Sequence, residues 1–260
     1  MENKLDNKYI LKAKERLGKI FISTQGLPMK IVDYVDSMNC SIEFEDGTVI
    51  NNLQYNQIKV GYVKNPFFAS TYGQGYIGVG NNITHIKGKK VRAYAKWIGM
   101  LERCYSEKYH VKNPIYKECD VSNEWKCFQN FAEWFNLNYN PEFMSDWELD
   151  KDILFKGNKI YSPETCCFVP KEINMLLSFN KSKERELPLG VSKHGNLYRV
   201  YCRVNNKNKY VGSFDTPEEA FQAYKTAKEA YIKEVADKWR DEIDPRVYQA
   251  MYKYEVEITD

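Results

Sequence analysis

Histidine is scarce in this chain, three in 260 residues. Chemistry that needs an imidazole base or a cluster of imidazole ligands has few places to sit. Long apolar runs are absent as well. Nothing approaches the ~20 residues a helix needs to span a bilayer. The opening MENKLDNKYILKAKERLGK is charged and has no apolar signal core, so a cytoplasmic chain with no membrane partner is expected. No Cys-x-x-Cys pair occurs among Cys40, Cys104, Cys119, Cys127, Cys166, Cys167 and Cys202. Their odd number and irregular spacing suit buried, reduced thiols better than a disulfide framework. A zinc set from Cys104, Cys119, Cys127 and His110 lacks close ligand spacing. Net charge is only +3, so any affinity for a polyanion must come from local clustering.

What is present is a folded composition, 43% apolar and 15% aromatic with 20 tyrosines. The chain is long enough for two or three small domains. Residues 1–17 read as a charged helix. From 18 to 66, KIFIS, MKIVDYV, CSIEFE and TVI read as short strands, with Asp46-Gly47 as a tight hairpin turn. The pattern resembles a small Src-homology-like β-barrel with Phe21, Ile31, Val32, Ile42 and Phe44 inside. Residues 67–91 are rich in Gly, Asn and Tyr and read as a linker. The alternative is an arm along a nucleic-acid groove, with Lys87, Lys89 and Lys90 on phosphates and Tyr72 or Tyr76 nearby.

Residues 92–138 are helical in pattern. Tyr94, Trp97, Leu101 and Cys104 form one stripe, and Trp125, Phe128, Phe131 and Trp134 or Phe135 another, with Ser122 as an N-cap. Residues 187–240 predict strands, a turn at Asn205–Lys209, a further strand and a helix. Thr216 caps that helix, Pro217 starts it and Glu219 closes a capping box. Ala220, Tyr224, Ala227, Tyr231 and Val235 form its buried stripe. In LYRVYCRV, Tyr198, Val200, Cys202 and Val204 face the helix, while Arg199, Tyr201 and Arg203 face away. Tyr210 joins the outward set if Val211 packs inward, and Lys207 and Lys209 crowd the turn. Residues 187–240 carry ten Lys or Arg against six Asp or Glu, a net of +4 that exceeds the whole chain's.

GVSKHGNLYRVYCRVNNKNKYVGSFDTPEEAFQAYKTAKEAY resembles the APETALA-type (ethylene-response-factor-like) DNA-binding domain. The resemblance implies double-stranded DNA as partner, read in the major groove by Ser192, Arg199, Tyr201, Arg203 and Tyr210, with Lys207 and Lys209 on phosphates. Ser192 stands where that family usually has Arg. RAYAKWIGMLERCYSEKY, VSNEWKCFQNFAEWF and LDKDILFKGNKIYSPETCCFVPKEIN together resemble HNH homing-type endonucleases of phages and mobile elements. On that pattern Asp150-Lys151 or Lys151-Asp152 falls where the catalytic Asp-His pair belongs, Thr165 replaces the bracing Asn, and Asn174 takes the last metal position. A Mg²⁺ or Mn²⁺ ion on Asn174 with Asp150 or Asp152 is implied, with no other cofactor. A histidine base is missing. Lys151 would need its pKa lowered from about 10.4 toward 7, about 4–5 kcal/mol of bias, and two neighbouring carboxylates oppose that.

The expected architecture is modular α+β: helix and barrel at 1–66, linker at 67–91, a degenerate HNH-like unit at 92–186 and an APETALA-type domain at 187–260. Three functions stay open. One is a phage-type DNA-binding protein, working in the bacterial cytoplasm, derived from a homing nuclease with weak or lost cleavage. Another is an active metal-dependent nicking enzyme. The third is a counter-defence protein that binds a host defence nuclease.

Overall fold

The computed structural model describes residues 10–178 and 186–258, so the first nine residues of the expected N-terminal helix lie outside the described part. The chain is mixed helix and sheet, as expected. It divides into two compact units, residues 1–70 with 76–79, and residues 71–75 with 80–260. The stretches 92–186 and 187–260 thus fall in one unit.

In the first unit, residues 10–16 are helical (α1). Four antiparallel strands follow as a meander: β1 (Ile20–Ile22), β2 (Pro28–Tyr34), β3 (Cys40–Phe44) and β4 (Val49–Leu53). The Asp46-Gly47 turn forms because Gly47 takes φ 82° and Asp46 Oδ1 accepts the Thr48 amide at 2.9 Å. Met29, Ile31, Tyr34, Cys40, Ile42 and Phe44 bury one face, joined by Ile58 of α2 (Tyr55–Lys59).

Among the described residues the four strands form an open meander, without a closed barrel. β1, three residues long, lies at one edge, and closure needs strands long enough to tilt and stagger. Val32 is not in the core. The β2–β3 register slips between Ile31 and Asp33, so Val32 is the bulged residue, 38% exposed, and Tyr34 turns inward instead.

In the second unit, the 67–91 linker is not a loose tether over its later part. Asn82 and Gln129 exchange hydrogen bonds, Asn82 N–H to Oε1 at 2.9 Å and Nε2–H to the Asn82 carbonyl at 3.0 Å. A hairpin, β5 (His85–Ile86) and β6 (Lys89–Lys90), precedes α3 (Arg92–Tyr105). Trp97, Met100, Leu101 and Cys104 of α3 are buried. After α4 (Glu107–Lys112) and a short strand β7 (Asp120–Val121), the expected single aromatic helix is broken. Cys127 is extended (φ −82°, ψ 121°) and separates α5 (Asn123–Lys126), capped by Ser122, from α6 (Phe128–Asn138). Trp97 Nε1–H donates to the Trp125 carbonyl at 2.7 Å and ties α3 to α5.

β8 (Glu148–Asp150) pairs antiparallel with β10 (Cys167–Val169), and α7 (Lys171–Leu177) packs on β8. Between them, β9 (Ile160–Tyr161) pairs parallel with β7. The last part is a three-stranded antiparallel sheet, β11 (Val191–His194), β12 (Leu197–Val204) and β13 (Lys207–Phe214), backed by α8 (Pro217–Lys238). Thr216 Oγ1 accepts the Glu219 amide at 3.2 Å, and Pro217 opens the helix. Ala220, Tyr224, Tyr231 and Val235 are buried as expected, and Phe221, Ile232 and Ala236 widen the stripe. α9 (Pro245–Tyr252) closes the unit.

Candidate functional site

Two places in the second unit concentrate charge. The first is a cleft of about 690 Å³ at the strand–loop–strand–helix unit. β8 ends at Asp150, α7 supplies Asn174, and the long loop supplies Lys151, Asp152, Lys156, Lys159 and Tyr161. Arg103 of α3 and Lys117 complete the cationic wall. The topology thus brings Asp150, Lys151, Asp152 and Asn174 to the wall of one cavity. All three histidines are among the described residues and none lines it. His110 Nε2 lies 2.8 Å from the Arg103 carbonyl, and His85 packs on Tyr94.

Asp150 Oδ1 accepts the amides of Asp152 at 2.9 Å and Ile153 at 2.8 Å, which turns the chain out of β8. Burial, and then repulsion from Asp152, push its pKa up to about 6. Lys151 is 8% exposed, and its ammonium lies 3.2 Å from Asp152 Oδ2. Burial pulls its pKa down, but Asp152, Cys119 and Asp150 together carry it above the ordinary lysine value. A lysine held protonated donates and attracts anions and does not take a proton from water. Burial also pushes the Cys104 and Cys166 thiols up to about 12, which removes thiolate chemistry at neutral pH.

Among the described residues no three His, Cys, Asp or Glu side chains gather as a metal site. The donor chemistry nevertheless fits a hard cation with few protein ligands. Asp150 Oδ2 and the side-chain amide of Asn174 have no hydrogen-bond partner among the described residues, and both residues line the cleft. Mg²⁺ is commonly held by one or two such oxygens with water completing the shell. Asp152, the alternative to Asp150 as ligand, is engaged by Lys151.

The loop is braced by a residue that sequence reasoning missed. Asn158 donates to the Lys151 carbonyl at 2.6 Å, and Thr165 Oγ1 donates to the Ile160 carbonyl at 2.8 Å. The signal was the polar Gly157-Asn158 step after the apolar Ile153–Phe155 run. Arg103, whose Nε–H donates to Tyr161 Oη at 3.0 Å, was also missed, because it comes from a helix distant in sequence.

The second place is the outer face of the β11–β12–β13 sheet. Register sets Ser192, Arg199 and Ser213 in one row, Tyr201 with Tyr210 in the next, and Arg203 with Asn208 in the third. The Tyr201 and Tyr210 rings lie 5.5 Å apart, and Tyr210 Oη is 2.8 Å from Ser213 Oγ. Lys207 and Lys209 do not join this face. They pair with Val204 and Cys202, which point toward α8, so both lie on the helix side of the strand edge. The expected five-residue turn is a two-residue one, Asn205-Asn206 at φ 48° and 61°, and Lys207 already belongs to β13. Tyr231 Oη accepts the Asn205 amide at 2.9 Å and pins this hairpin tip to α8.

Neither a protein-family model, nor a curated protein, nor a solved structure matches this chain.

Proposed function

We propose that the protein binds double-stranded DNA through the outer face of its three-stranded sheet, and that its cleft is that of an HNH-type nuclease which has lost its base, as in a phage protein derived from a homing enzyme. The observation that carries this reading is the row pattern. Arg199 and Arg203 flank a Tyr201–Tyr210 pair on one exposed face, stiffened from behind by a 22-residue helix. Guanidinium groups suit guanine edges and phosphates, and the rings supply flat contact area beside them. A bound divalent ion would neutralise charge at a leaving oxygen. This chain's own residues would hold it through Asp150 and Asn174, and Lys151 and Arg103 would add positive charge, with no histidine among the described residues of the cleft to activate water.

The test is duplex binding measured by fluorescence anisotropy across a salt series. Arg203→Ala is expected to weaken binding by about 1–3 kcal/mol. Lys207→Ala, on the helix side of the sheet, is the control and is expected to change the affinity and the salt slope far less than Arg203→Ala does. Unchanged binding in the Arg199→Ala/Arg203→Ala double variant ends the reading. An active metal-dependent nicking enzyme is the second reading, favoured by the two uncommitted oxygens of Asp150 and Asn174 in the cleft.

A further inference from the structure

The sequence from Gly47 to Leu101 holds seven Lys or Arg and no Asp or Glu. At the chain's mean of 35 carboxylates in 260 residues, a stretch of that length would hold about seven. Within it, the β5–β6 hairpin presents Lys87, Lys89 and Lys90, all exposed. None of the three has an ion-pair or hydrogen-bond partner among the described residues. Other cations nearby are spoken for. Lys96 binds Glu148 at 2.6 Å, and Arg92 hydrogen-bonds and stacks on Tyr139.

The hairpin is also preorganised. Its loop is the two residues Lys87 (φ 48°) and Gly88 (φ 76°), the primed-turn conformation that matches strand twist. The Val91 amide donates to the Thr84 carbonyl at 3.0 Å and closes its base. The His85 ring packs edge-on against Tyr94 of α3 at 5.5 Å, and the Asn82–Gln129 pair fixes the strand leading in. A loose lysine run loses side-chain and backbone freedom on binding, whereas this one has its backbone already set.

We propose that the His85–Lys90 hairpin is a second, sequence-independent nucleic-acid contact that grips the phosphate backbone of duplex DNA through Lys87, Lys89 and Lys90. This rests on the reading of DNA as the partner. Charge complementarity selects the partner: three unneutralised ammonium groups on a rigid two-stranded prong match a regular array of phosphates.

The experiment compares the full chain, the Lys87→Gln/Lys89→Gln/Lys90→Gln variant and the Arg199→Ala/Arg203→Ala variant on a random-sequence duplex over a salt series. Gly88 is left in place so that the turn survives. The triple variant is expected to lower the slope of log affinity against log salt by about 2–3 and to weaken binding at 0.1 M salt on the order of tenfold. An unchanged slope and affinity in the triple variant, with loss in the arginine variant, overturns the hairpin alone. Loss in the triple variant with none in the arginine variant overturns the sheet reading and supports the hairpin. No duplex binding by the full chain, or lysine-dependent binding only to phosphatidylserine vesicles, overturns the proposal.

Discussion

Asn158 donates its side-chain amide to the carbonyl oxygens of Lys151 at 2.6 Å and Ile160 at 2.7 Å. One amide therefore holds both sides of the loop between β8 and β10, where Lys151 and Asp152 sit. The loop has no run of regular structure long enough to hold itself, so side-chain bonds must fix it.

Asn158→Ala is expected to destabilise the protein by about 1–3 kcal/mol, because the half-buried Lys151 carbonyl loses a donor that nothing replaces. Urea denaturation of the variant and the wild type checks this. A change within about 0.3 kcal/mol would mean the loop is held by Thr165 and the β7–β9 pair instead.

Asp150 gives a pH dependence whose sign follows from its raised pKa, about 6 against an ordinary 3.8. Below pH 4 the carboxyl is protonated whether the chain is folded or not, and its contribution is neutral. Between about 4 and 6 the unfolded chain releases the proton while the folded chain keeps it, so stability falls as pH rises. Above 6 the loss is complete and constant. Asp150→Asn keeps an oxygen for the Asp152 and Ile153 amides and removes the ionisation. It should be more stable than wild type at pH 7.5 by up to about 3 kcal/mol, with the gap closing toward pH 4. Denaturation midpoints at half-unit pH steps measure it, and a gap independent of pH would show that Asp150 is solvated.

The β2 bulge makes opposite forecasts for adjacent residues. Ile31, 1% exposed, should cost about 2–5 kcal/mol on replacement by Ala. Val32→Ala should stay within about 0.5 kcal/mol. Equal costs in the same denaturation series would place Val32 in the core and remove the bulge.

That pair of residues shows where the sequence was legible. Period-two alternation marks MKIVDYV as a strand, but a bulge changes parity midway, and no residue in it signals where. The same holds at β13, where the register skips Val211 between Gly212 and Tyr210, so Tyr210 and Ser213 share a face although three residues apart. Features set within four residues were readable, such as the Thr216–Pro217 helix start and the Asp46-Gly47 turn. The pairing of Asp150 with Asn174 came from the HNH resemblance and not from local pattern, and both residues line the cleft. The Asn82–Gln129 anchor and the entry of Arg103 into the cleft depend on contacts 47 and 58 residues apart, and local pattern carries no trace of those.

The missing base leads to the last forecast. Lys151, one of the two residues that the HNH resemblance sets at the histidine position, is nearly enclosed and is kept charged by Asp152. Wild-type protein is therefore expected to leave supercoiled plasmid intact with Mg²⁺ or Mn²⁺. Lys151→His places an imidazole of near-neutral pKa beside Asp150 and Asn174, and Asp152→His does so one residue on. A positioned general base is worth about 10²–10⁴-fold, enough to lift nicking above the wild-type background. Gain of metal-dependent nicking in either variant, removed again by adding Asn174→Ala, supports a cleft that lost only its base. Brisk nicking by the wild type, abolished by Asn174→Ala, would show that another group activates water and would make the enzyme reading the correct one.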